Sequence, residues 1–191
     1  MQPHIPRQPA ERGPNRVELD ARLSAELLSA MAGARRRAAR DGDRQIDTAH
    51  LLHSLLEADP YARGVVGDGA QLARLLGYLV QRSIGYGLQW QTTVEDSGAV
   101  PVVTDAGWSP AAATAVESAC KRADQRGEAR AHGVDLLAAF AADAECRAVE
   151  VLGRAGVTPK ELLDRIDAAA AAERARQDEY GEYGGYGGFG G

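Results

Sequence analysis

At 191 residues with a formal net charge of −5, the chain has room for one ordinary domain or two small intimate ones. That charge sets up no global field toward nucleic acid or an anionic membrane surface, so neither partner is expected. Hydrophobic residues make up 45% but aromatics only 5%, so a core must be built from Ala, Leu and Val, which suits packed helices better than sheets.

Residues 1–16 hold four prolines and little that could be buried, and they read as a disordered lead-in. A basic stretch followed by an apolar one is missing there, so no signal peptide is expected. Nor does any apolar run approach the ~18 residues of a membrane span, and a cytoplasmic protein is the expectation. A first unit, residues 17–84, opens on the helix cap Ser24. Leu27, Met31, Ala34 and Ala38 then lie along one helix face, and Asp41-Gly42-Asp43 stops the helix. Ile46-Asp47-Thr48-Ala49-His50-Leu51-Leu52 supplies a buried anchor, a cap and a second helix, which Ala58-Asp59-Pro60 breaks. Tyr61–Val66 makes a third helix. Ala70–Ile84 makes a fourth, with Leu72, Leu75, Leu76, Leu79 and Val80 expected on its inner side.

Residues 85–108 are Gly-rich, then carry Thr92-Thr93-Val94 and Val100-Pro101-Val102-Val103. They read as a linker with some β character, such as a small hairpin, and are longer than most connections inside a domain. The second unit, residues 109–177, starts at Ser109-Pro110, a cap followed by a helix-starting proline. Ala112, Val116, Ala119 and Ala123 line its face, and Gly127 closes it. Val134–Ala142 and Ala144–Arg154 follow. The last helix opens on Thr158-Pro159-Lys160-Glu161 and is expected to reach about Arg176. Residues 178–191, an aromatic-Gly-Gly tail, are expected to be disordered.

The two units match in register: Ser24 corresponds to Ser109, and Gly42 to Gly127, 85 positions on. A helical unit that occurs twice points to an all-α fold of two pseudo-symmetric four-helix repeats. Over about residues 24–166 this order resembles the Clp N-terminal domain, the double-repeat module of Clp AAA+ unfoldases, closest to the ClpC type. The strongest motif is the family's Ile-Gly-Thr-Glu-His-Ile/Leu-Leu, present as Ile46-Asp47-Thr48-Ala49-His50-Leu51-Leu52. The second unit carries Ala131-His132-Gly133-Val134-Asp135-Leu136-Leu137 at that place, and Gly156-Val157 with Leu162 and Leu163 matches the family's Leu-Gly-Val ending.

The resemblance implies a non-enzymatic docking module that takes Clp ATPases, adaptor proteins, substrates or peptide-like natural products. No Gly-x-x-x-x-Gly-Lys-Ser/Thr phosphate loop occurs in the sequence, so the motor's own chemistry is not expected here, nor any cofactor. In ClpC-type domains the Glu of each Thr-Glu-His segment helps hold the guanidinium of phosphoarginine. Ala49 and Val134 stand at those positions and can accept no hydrogen bond, so phosphoarginine should bind feebly.

Other candidates are weighed against plainer roles. His50 and His53 are one turn apart, not at the i, i+4 spacing of a helical metal pair, and His50 reads as a packed core histidine. Cys120 and Cys146 read as small buried thiols. No catalytic residues or metal ligands are expected. Arg35, Arg36, Arg37 and Arg40 form the one dense basic run; it is either a solvated helix face or a contact for acidic partner helices or an anion. Trp90 and Trp108 flank the linker and either anchor it across the junction of the units or form an exposed hot spot.

Overall fold

A computed structural model of the protein describes residues 16–83, 95 and 107–183, and among them every regular element is a helix. Five precede the linker: α1 (Arg16–Ala21), α2 (Ala25–Asp41), α3 (Thr48–Ala58), α4 (Pro60–Val66) and α5 (Gly69–Ser83). Four follow it: α6 (Pro110–Gln125), α7 (Gly133–Ala142), α8 (Arg147–Arg154) and α9 (Pro159–Tyr183). The expected caps set the boundaries. Ser24 Oγ accepts the Leu27 N–H at 3.3 Å and Ser109 Oγ accepts that of Ala112 at 3.1 Å. The φ of Gly42 is 73° and that of Gly127 is 74°, the left-handed conformation that ends a helix at little cost only for glycine.

Four details differ from expectation. α1 is an added helix ahead of the first repeat. α8 begins at Arg147 rather than Ala144, because Asp143–Cys146 form a turn. α9 runs past Arg176 to Tyr183, so residues 178–183 are helical rather than disordered. Five consecutive alanines, Ala168–Ala172, are the best helix formers, and the Glu173–Arg176 pair at 2.7 Å continues the run. Val80 is 50% exposed, since α5 fully buries only the Leu75/Leu79 stripe. The expected β character at residues 92–94 and 100–103 lies outside the described residues.

The repeats interlock. α2 packs on α3 and α6 on α7, each pair within its own repeat. The shorter helices cross over: α4 lies against α7 and α9, while α8 lies against α3 and α5. Two isolated parallel bridges repeat the exchange, Leu23 with Ala131 and Trp108 with Ile46. Both members of the first bridge move 85 positions to become members of the second, with the halves swapped. One hydrophobic cluster therefore runs through both repeats, from Leu23 and Leu27 to Leu162 and Ile166. Small residues let the backbones approach: a Cβ on Gly133 would collide with the Asp59 carboxylate and sit 2.9 Å from Leu55 Cδ1.

Candidate protein-docking site

The segments singled out by sequence meet where the N-termini of α3, α6 and α8 converge. Asp47 caps α3 by accepting the His50 N–H at 2.8 Å. Its other oxygen takes Arg147 Nη1 at 2.7 Å and a short contact from Arg82. Burial pushes the Asp47 carboxyl up, but His50 and the Arg82 guanidinium outweigh it and hold the group well below the ordinary carboxylate range. His50 is fully buried, as expected for a core histidine. Its Nδ1 lies 2.7 Å from Asp47 Oδ1, and Nε2 lies 3.0 Å from Asp43 Oδ2 without hydrogen-bond alignment.

Beside Asp47 sits a residue the sequence reading passed over. Glu95, from the linker, is buried between the repeats. Its Oε2 accepts the Thr48 N–H at 2.8 Å and the Ser109 hydroxyl at 2.7 Å. Its Oε1 accepts the Arg147 N–H at 2.8 Å and the Thr48 hydroxyl. The reason is a missing cap. Cys146 stands at the N-cap of α8 and makes no side-chain bond to it, so Glu95 satisfies an otherwise orphaned N–H. At the twin corner α4 is capped by its own Asp59, which accepts the Ala62 N–H at 2.9 Å. A single glutamate in a Thr/Val/Gly stretch has no periodicity to mark it, so no sequence signal singles it out.

Ala49 is fully buried in α3 and Val134 is half-buried in α7. Neither offers an acceptor, although Glu95 brings a carboxylate to Thr48, next to Ala49.

The arginine run does not form one face. Arg35 stacks over the Trp108 ring with 5.3 Å to its centroid. Arg37 turns to α3, where Nε donates to Ser54 Oγ at 3.2 Å and the guanidinium pairs with Glu57. Only Arg36 and Arg40 point outward. Arg40 is 61% exposed and bonds to its sequence neighbour Asp41 at 3.1 Å. Trp108 is half-buried and held by its neighbours, with Ile46 N–H to Gly107 O at 2.7 Å and Ser109 N–H to Ile46 O at 2.9 Å. Trp90 lies outside the described residues.

His53 faces the same α2–α3 seam. Burial lowers its pKa, the Arg37 guanidinium lowers it further against the opposing pull of Glu57, and it is brought down to about 4. Burial pushes the Cys120 thiol up and the Cys146 thiol up to about 12, which leaves both poor nucleophiles. No group of three or more His, Cys, Asp or Glu among the described residues could hold a metal ion. No helix among them is long and apolar enough to cross a membrane.

The architecture matches solved structures. The N-terminal domain of the caseinolytic protease associated chaperone ClpD from Arabidopsis thaliana superposes with a TM-score of 0.61 over 78% of this chain and 95% of that one, at 19% identity. The chain has a Clp N-terminal-domain-like fold. A chain from structural investigations of a malarial protein secretion system matches at a TM-score of 0.56 and 12% identity, over 77% of this chain and 93% of that one. No protein-family model matches the sequence, and no curated protein does. At such identities the likeness rests on helix order and interlocking. The Clp N-terminal-like frame is what the caps, glycines and alanine faces encode.

Proposed function

We propose that this chain is a non-enzymatic, cytoplasmic protein-binding module of a Clp proteolytic system, acting as an adaptor, a competitor for the partners of an unfoldase's N-domain, or a sink for ligands directed at it. The observation that carries the reading is the likeness to the N-terminal domain of a protease-associated chaperone, over 95% of that domain. The sequence has no phosphate loop of its own, which fits docking rather than ATP-driven work. Ala49 and Val134 set this module apart from phosphoarginine readers: neither offers an acceptor, and phosphoarginine binds feebly.

Co-purification of the full chain from native lysate tests the reading. A Clp ATPase, one of its adaptors or its substrates is expected among the partners, and their consistent absence overturns it. A second reading, a helical scaffold unrelated to proteolysis, is favoured by the outward Arg36 and Arg40. Under that reading R36E/R40E abolishes the capture of an acidic partner and no Clp component is ever recovered.

A further inference from the structure

The turn between α7 and α8 closes one side of a cleft of about 290 Å³. Its floor is buried and largely apolar, formed by Ala111 and Ala115 of α6, Phe140 of α7 and Cys146. Half-buried Thr114, Ser118 and Asp143 lie nearer to solvent, exposed Ala142 and Ala144 also line the cleft, and the buried Thr48 hydroxyl is already committed to Glu95 and the Ala148 N–H. The volume falls at the bottom of the roughly 300–1,000 Å³ typical of small-molecule pockets. It fits one long side chain better than a cofactor or a folded peptide.

The polar groups select which side chain. Asp143 is the only ionisable carboxylate in the lining. Its Oδ1 accepts the Glu145 N–H at 3.1 Å, and its Oδ2 makes no hydrogen bond or ion pair among the described residues. Thr114 and Ser118, one turn apart on α6, line the same cleft. A hydroxyl keeps its acceptor lone pairs even when its own proton is turned back onto the helix. One free carboxylate oxygen and two hydroxyls suit an ammonium, a point charge with three N–H donors. A guanidinium can still pair with such an acid, as Arg126 does with Asp135 while that carboxylate also holds the His132 N–H. Its planar fork, however, leaves no donor aimed at hydroxyls on a second helix, whereas an ammonium can reach all three oxygens. Exposed Glu145 adds negative charge beside the mouth, while the alanine floor suits a four-carbon stem. We propose that this cleft receives a lysine side chain presented by a partner protein; this rests on the docking-module reading above and names a contact within it.

NMR titration of the isotopically labelled full chain with Nα-acetyl-lysine amide tests the proposal, with the arginine and norleucine amides as controls. The lysine compound should shift the amide signals of Thr114, Ser118 and Asp143 saturably, the arginine compound should bind more weakly, and norleucine should not bind. D143N keeps an oxygen for the Glu145 N–H while removing the charge, and should weaken lysine binding about tenfold. S118A, which leaves the turn untouched, should weaken it less, and it decides the matter if D143N does not hold its fold. Equal binding of norleucine, unchanged affinity in both variants, or shifts elsewhere on the surface would each overturn the proposal. No Clp component enters this titration, so it can fail while the co-purification succeeds, and the reverse.

Discussion

In the first repeat an aspartate, Asp47, stands ahead of the central helix and a histidine, His50, follows three residues later. In the second repeat the order at matching positions is reversed: His132 comes first and Asp135 third. The acid stays buried in both places, while its histidine is buried in the first repeat and exposed in the second, because the helix N-terminus accepts a carboxylate at either position. Asp47 takes the His50 N–H at 2.8 Å, and Asp135 reaches back to the His132 N–H at 2.9 Å. The cations differ more. Asp47 draws Arg82 from its own repeat and Arg147 from the other, side chains only 10% and 11% exposed. Asp135 is held by Arg126, which is 32% exposed and shared with Glu128. The first acid ties the repeats together; the second fastens a loop within its own repeat.

The largest expected effect breaks that contrast directly. D47A removes the buried acid that Arg82 and Arg147 share, together with the cap of α3, and should cost about 3–5 kcal/mol in urea unfolding. D135A, whose arginine can turn to Glu128 and water, should cost about 1–3 kcal/mol. Equal losses would erase the distinction. Next comes the capping glutamate: E95A leaves the Thr48 and Arg147 N–H groups unmet and should cost about 2 kcal/mol, with E95Q recovering part of it. G133A forces a methyl group against Asp59 and Leu55 and should cost about 1–3 kcal/mol, whereas at Gly153, where a Cβ meets open space, the same change should not destabilise.

The smallest effect is in pH. His53 titrates near 4 when folded against about 6.5 unfolded. Between those values the unfolded chain binds more protons, so this contribution is complete above about pH 6.5 and shrinks as pH falls toward 4. H53Q should flatten that limb of the stability–pH curve. The contribution of Asp47, whose pKa is depressed, is lost only at lower pH, below the ordinary carboxylate value, so the two limbs separate.

How far these features were readable from sequence follows from the kind of signal each leaves. Helix edges were legible because Ser24, Ser109, Pro110, Gly42 and Gly127 act locally, through caps and a positive φ. The inner faces were legible wherever small or apolar residues recur every three or four positions, as at Leu27, Met31, Ala34 and Ala38. Val80 failed because an apolar stripe states what could be buried, not how much surface the neighbours offer. The arginine run failed in part for a related reason. Spacing predicts the side of a helix but not that Trp108 will take Arg35 or that Glu57 will take Arg37. Glu95 was invisible because its partners come from α3, α6 and α8, and the gap it fills opens only once Cys146 stands at the head of α8.

The crossed bridges, Leu23 with Ala131 and Ile46 with Trp108, also govern the order in which the protein can assemble. As the chain leaves the ribosome, the first half cannot complete its fold, since Leu23 awaits residue 131 and α4 awaits α7 and α9. Most of the polypeptide must be made before the shared core can close. Contacts at such sequence separation carry a loop-closure cost that slows folding and leaves the early half's leucines open to solvent. A symmetric protein is thus made by an asymmetric process, in which the first repeat waits for the second.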